Sequence, residues 1–311
     1  MRNLKAPLAI AATVVLWASA FPAVRVGLQG YGPFGLSFLR LAVASVTLLL
    51  AAPLLGVRLP RRRDLPLIAL CGFTGMTAYQ LLLNWGELHV AAGTASLLVA
   101  PAPVFSAGLA AVWLGERLTG RKIIGSVIAL AGSALIALSG GSVQYSTSAW
   151  VLLAAAAVQG MYHFASKPLL LRYSGLEVAC YAIWAGTAFS LPLAPEAVAG
   201  VARAPIDATI AVVFLALLPS VVGFVLWGYG VARYSVTVAT AALYLVPVVA
   251  LAVSFVWLGE VPQPTELLGG AVSIAGVLLI AQATSGTIES PPAGTDPRGS
   301  VRPAKKFRQL R

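Results

Sequence analysis

The feature that most constrains this chain is a succession of ten apolar runs, each near the roughly 20 residues that a helix needs to cross a bilayer. They fall at 7–28, 34–55, 65–84, 89–114, 121–139, 149–169, 176–195, 208–230, 235–257 and 265–283, divided by Gly, Pro or clustered charge. Backbone polar groups inside lipid must be satisfied within the segment, so the expected class is an all-α integral membrane protein of ten transmembrane helices. With 59% hydrophobic and 10% charged residues, the chain lacks the polar supply for a water-exposed surface; a soluble domain is about 25% charged. The connections are too short to hold an extramembrane catalytic domain. Cys71 and Cys180 both lie in apolar runs, which excludes a disulfide framework.

The first run resembles a secretory signal in having Arg2 and Lys5 ahead of it and Ala18-Ser19-Ala20 within it. Its apolar pattern continues to Leu28, beyond the usual 7–15 residues, so the segment is expected to be retained. From Thr284 the chain turns to Ser, Gly, Pro and basic residues, and 284–311 is expected to be a disordered basic tail.

A net charge of +11 would suggest nucleic acid in a soluble protein. Here eighteen of the twenty-one Lys and Arg residues fall on the side of the termini, six of them in the tail. Arg25 and Arg203 fall on the other side, and Arg40 lies inside the second run, where it is expected to meet helix-end carbonyls or reach an interface. This is the asymmetry that insertion requires, so both termini are expected in the cytoplasm and no nucleic acid partner is implied.

Trp113-Leu114-Gly115-Glu116 recurs as Trp257-Leu258-Gly259-Glu260, an offset of 144 residues. At the same offset Pro103 meets Pro247, Gly125 meets Gly269, Gly132 meets Gly276 and Ser96 meets Thr240. Near an offset of 142, Arg25 faces Lys167. The chain therefore divides into five-helix repeats at 1–139 and 140–283, and because five is odd the halves must insert with opposite orientation. Inverted repeats are a signature of secondary transporters, with the substrate site near the midplane between them.

These residues, together with Leu16-Trp17-Ala18-Ser19, Phe21 and Pro22 in the first helix, resemble the drug/metabolite transporter superfamily, EamA family. Within it the chain is similar to aromatic amino acid exporters of the YddG type. The resemblance covers about residues 7–283 and implies a pseudosymmetric basket, a central cavity lined by helices 1, 3, 4, 6, 8 and 9, and efflux from the cytoplasm.

Polar groups within spans are costly, so each is a candidate for lining water. Gln159, Tyr162, His163 and Ser166 share one face of helix 6, either as an interhelical contact or as a cavity wall. Helix 3 offers Tyr79 and Gln80, followed by Asn84 and Trp85, for which an interfacial anchor is an equal reading. Helix 9 shows Thr237, Thr240, Tyr244 and Pro247 where its mate has Gly93, Ser96, Ala100 and Pro103. With Trp17 in helix 1 and Trp227 in helix 8, these supply an aromatic lining with polar handles. Trp113, Trp150 and Trp257 sit at helix ends as interface anchors. Pro22, Pro101, Pro103, Pro219 and Pro247 are candidate hinges or rigid kinks. Gly125, Gly132, Gly269 and Gly276 are expected to let helices 5 and 10 approach closely.

No acidic residue falls inside a span, Glu87, Glu116 and Glu260 being placed at helix ends or in loops. That argues against a proton-exchanging membrane carboxylate and leaves His163 as the one side chain in the pathway whose unperturbed pKa lies near physiological pH. No Walker loop, metal-ligating cluster or activated nucleophile is present, so neither enzyme chemistry nor a cofactor or metal is expected. The expected function is export of small metabolites, foremost aromatic or other apolar amino acids, across the cytoplasmic membrane by alternating access and uniport. Efflux of another amphipathic metabolite or drug, with or without proton coupling, stays open, as does an intramembrane enzyme or sensor. The implied partners are a small-molecule substrate and the lipid bilayer; oligomeric state is left open, a monomer being compatible.

Overall fold

The computed structural model describes residues 5–114, 119–139, 142–231 and 243–285. Among the described residues there are helices and turns and no strand. Seven helical stretches are long and apolar enough to cross a membrane, at Lys5–Gly27, Pro33–Ala51, Arg62–Gly86, Ala92–Leu109, Gly120–Leu138, Gly175–Val201 and Ile206–Gly230. Glu116, Arg117, Arg233, Thr237, Thr240 and nearly all of the proposed tail lie outside the described residues.

The chain begins with α1 (Lys5–Gly27) and α2 (Pro33–Ala51). Gly32 in extended conformation caps α2, and Pro33 opens it, where the missing N–H would have had no intrahelical partner anyway. The third stretch is composite: α3 (Leu65–Cys71), a π-helical segment Gly72–Ala78, and α4 (Tyr79–Gly86). The seventh is built the same way, from α11 (Ile206–Leu215), a π-helical segment Ala216–Val222 and α12 (Gly223–Val231). The two π segments lie 144 residues apart, the offset at which the Trp-Leu-Gly-Glu motif recurs. Each locally widens its helix and frees backbone groups, a distortion often found at functional sites.

The run at 89–114, expected as one helix, is broken into α5 (Ala92–Val99) and α6 (Ala102–Leu114). Pro101 stands at the break because it has no N–H to continue the ladder. Then come α7 (Gly120–Ser139), α8 (Val143–Leu170), α9 (Gly175–Ser190) and α10 (Ala194–Val201). A capping box starts α9, with Ser174 Oγ accepting from Glu177 N and the Glu177 side chain accepting from Ser174 N. The last elements are α13 (Val246–Leu258), ended by Gly259 at a φ of 68°, and α14 (Pro264–Ser285). Gly259 supplies the left-handed turn without a Cβ clash.

Helices α7 and α14 lie along one another backbone to backbone. A Cβ on Gly132 would fall 2.5 Å from the Gly269 carbonyl oxygen, and one on Gly276 would fall 2.5 Å from that of Gly125. No side chain longer than hydrogen fits at either crossing. Against this stand the packed interiors on either side of α1: Phe21, Leu83, Leu97 and Leu98 in one, and Met76, Ile183 and Phe224 around α9 in another.

Candidate functional site

Between these packed regions a cavity of about 80 Å³ opens at mid-helix level, bounded by α1, α2, α4, α5, α6, α8, α12 and α13. One water requires about 10–15 Å³, so the space is large enough for a small ligand group. Aromatic walls come from Trp17, Phe21, Tyr79 and Phe224, and polar groups from Arg40, Ser96, Gln159 and His163.

Trp17 is held edge-on by the second π segment: its indole N–H donates to the Pro219 carbonyl at 3.1 Å. Its ring packs 5.1 Å from Phe224 and 5.4 Å from Trp227. Gly223 leaves room for it, since a Cβ there would sit 2.7 Å from Trp17 Nε1. Gln159 and His163, one turn apart on α8, stand within 3.4 Å through Nε2 of each. Gln159 Oε1 and His163 Nδ1 are buried without hydrogen-bond partners. Buried polar atoms normally find partners, and these two, on cavity-lining side chains, do not.

Of the residues singled out from sequence, Trp17, Tyr79, Ser96, Gln159 and His163 lie on the cavity wall, as do Pro103 and Pro247. Tyr162, Gln80 and Trp227 are buried just behind it. Tyr162 packs against Gly75 of the first π segment and edge-on to Phe224 at 5.7 Å, and Trp227 stacks 5.6 Å from His163. Gln80 is 1% exposed and its Oε1 is unpartnered. Asn84 is no interfacial anchor; it is fully buried and donates to Ser37 Oγ at 2.8 Å. Tyr244 falls in a turn of 3-10 helix at Leu243–Leu245, its side chain outside the described residues, and Thr240 is outside them altogether. Pro103 and Pro247 each occupy the second position of a helix, α6 and α13. They therefore start helices rather than kink them, whereas Pro22 sits within α1 and Pro219 within the π segment.

Two charged residues depart from expectation. Arg40 neither snorkels nor meets helix-end carbonyls: it is 4% exposed, lines the cavity, and donates Nε–H to Ser220 Oγ at 2.8 Å. Its mid-run position was the available signal, because an intramembrane charge is functional by default. Glu87 does follow the end of α4, yet it is wholly buried, with both carboxylate oxygens unpartnered. Burial pushes its carboxyl pKa well above the usual range; Arg25 opposes the shift most, Glu260 adds to it, and Arg40 opposes it more weakly.

Polar clusters stand at helix ends in two places. At one, Arg25 Nε lies 3.8 Å from Glu260 Oε1, its Nη1 donates to the Glu87 carbonyl, and Glu260 Oε2 accepts from Ala92 N at 2.9 Å. At the other, Arg58 forms a two-pronged pair with Glu177 at 2.6 and 3.0 Å, and Arg172 and Tyr173 both donate to Asp64. No group of three or more metal-ligating side chains occurs among the described residues.

An all-helical, multi-pass chain whose helices converge on a small aromatic and polar cavity has the build of a membrane transporter. The chain belongs to the EamA-like transporter family, which matches it twice, over residues 4–138 and 146–282. It is 66% identical over 286 residues to a probable terminal-alkyne amino-acid exporter of Streptantibioticus cattleyicolor, covering 92% of this chain and 96% of the relative. It is 28% identical to a probable amino-acid metabolite efflux pump of Salmonella typhimurium, covering 86% and 91%. A crystal structure with 21% identity superposes with a TM-score of 0.61 over 92% of this chain and 99% of that one, which speaks for the fold.

Proposed function

We propose that the chain exports amino acids with aromatic or other apolar side chains across the cytoplasmic membrane by alternating access. The observation that carries this reading is the cavity itself, where aromatic walls meet unpartnered polar atoms of Gln159 and His163 beside a buried guanidinium. An amino acid has the matching parts: an apolar body for the rings and two charged ends for the polar groups. The terminal-alkyne amino-acid exporter supports the cargo class and extends it to small unsaturated side chains.

In this reading the polypeptide crosses the membrane ten times as two inverted five-helix halves, 1–139 and 140–283, with both termini in the cytoplasm. The basic residues of the loops support that orientation. Transport runs down the substrate gradient. Glu87 favours a second reading, proton coupling, because a buried carboxyl with a raised pKa can exchange a proton where solvent reaches it.

The test is flux in sealed proteoliposomes against a panel of amino acids, amines and cationic drugs. Saturable flux of apolar amino acids with no chemical conversion is the expected result. Flux of the amines or drugs alone would replace the cargo, and conversion without flux would replace the class.

A further inference from the structure

Arg40 lies in α2, on the cavity wall, and is 4% exposed. A guanidinium offers five N–H donors and stays charged in proteins. Nε–H is used by Ser220 Oγ, whereas Nη1 is buried with no partner. Nothing on the wall neutralises it: among the described lining residues there is no Asp or Glu, and Arg40 is the single Lys or Arg. Tyr79 and Glu87 are the acidic groups whose charge acts on it, and its side-chain bond to Ser220 goes to neither. The ion pairs of the described residues are Arg25–Glu260, Arg58–Glu177 and Arg172–Asp64, none involving Arg40. A buried charge without a counter-ion is strongly unfavourable unless something pairs with it.

We infer that Arg40 is the anchor for the substrate's carboxylate, with Ser220 orienting its guanidinium from the second π segment. This rests on the amino-acid cargo proposed above. The planar fork matches a planar carboxylate, and with Nε–H held by Ser220 the partnerless Nη1 remains to donate. Gln159 Oε1, an unpartnered acceptor on the same wall, suits an ammonium and cannot take the carboxylate. The assignment therefore makes Arg40 a determinant of cargo class: a free α-carboxylate is required, whatever the side chain.

The experiment is counterflow of labelled phenylalanine in proteoliposomes, competed by propargylglycine, its methyl ester and its decarboxylated amine. Wild type is expected to prefer the free acid to ester and amine by about tenfold or more, the strength of a charged hydrogen bond. Arg40→Gln should weaken the acid by about tenfold while leaving the ester within about twofold, collapsing the preference. Arg40→Lys keeps the charge without the fork and should give an intermediate preference, which serves if the Gln variant fails to fold. An ester that competes as well as the acid in wild type, or a full acid preference retained in Arg40→Gln or Arg40→Lys, overturns the assignment while leaving amino-acid transport standing. No flux of phenylalanine or propargylglycine through wild type overturns the transport reading itself and the carboxylate anchor with it.

Discussion

Arg25, two residues before the end of α1, holds its Nε 3.8 Å from Glu260 Oε1, just past the end of α13. The contact joins the end of the first apolar run to the residues just past the ninth. Both side chains keep some solvent contact, 35% and 20%, so the pair is worth about 1 kcal/mol or less. A contact that weak suits a gate that must open repeatedly. Glu260→Gln keeps an oxygen for Ala92 N and removes only the charge. We expect a cysteine placed at the cavity wall, Ser96→Cys, to react about two- to fivefold faster with an impermeant maleimide in the Glu260→Gln background. The native thiols of Cys71 and Cys180 are buried and give little background. An unchanged rate would remove the gate role.

The cavity and the helix-end tryptophans should separate in a flux assay. Trp17, Gln159 and His163 line the cavity, whereas Trp113 is 69% and Trp257 46% exposed. Alanine at any of the first three should lower flux about tenfold at equal expression, and alanine at either of the last two should change it by less than about twofold. Equal losses would sink the distinction.

Close packing of α7 on α14 makes a stability prediction. Gly132→Ala drives a methyl into the backbone of Gly269 and Ser273, neither of which is a flexible side-chain end. Overpacking of this kind costs about 1–3 kcal/mol. The melting temperature in detergent should fall clearly, with the ranking of competing substrates unchanged. A variant as stable as wild type would show that the two helices can separate without loss.

Prolines 103 and 247 stand at the first turns of α6 and α13, each next to an interruption of regular α-helix. If those interruptions are the points of bending, Pro103→Ala and Pro247→Ala should let the helices extend backward and stiffen. Turnover should fall several-fold with substrate affinity nearly constant, because the interconversion step is slowed while the site is preserved. Unchanged turnover in both would refute the hinge assignment.

How much of this was legible in the sequence differs by residue. Trp17, Gln159 and His163 were visible as polar or aromatic positions inside apolar runs, the last two at a spacing that puts them on one helical face. Arg40 was visible as a charge, but its partner Ser220 lies 180 residues away and no local pattern links them. The π segments were hidden because widening a helix by a few residues leaves hydropathy and side-chain periodicity almost intact. Glu87 was legible as a helix-end residue but its burial was not, because hydropathy reports where a run ends and not what folds over it. The break before α6 was marked by Pro101 in advance, although a proline does not tell by itself whether a helix bends or stops.

Energetics turns on Glu87, a carboxyl just beyond α4 that the sequence placed outside the pathway. Its pKa is raised by burial, so the folded chain keeps this proton above the point, about pH 4.3, at which an unfolded glutamate loses it. Stability from this residue is therefore full at low pH and declines as pH rises from about 4.3 to the raised folded value. Glu87→Gln, which cannot ionise, should lose that decline, and its melting temperature should exceed wild type by a margin that grows as pH rises above about 5 toward the raised folded value. Arg25, Glu260 and Arg40 are the charges that act on the site, and Arg25→Gln should enlarge the margin in wild-type Glu87 by removing the largest opposing charge. Under the uniport reading, an amino-acid gradient alone drives flux in both wild type and Glu87→Gln, with no pH difference imposed. Should wild type move substrate uphill only when a proton gradient is applied, uniport is wrong. Glu87 would then be the first residue to test, ahead of His163, because Glu87→Gln would abolish uphill accumulation while leaving substrate exchange at equal pH intact.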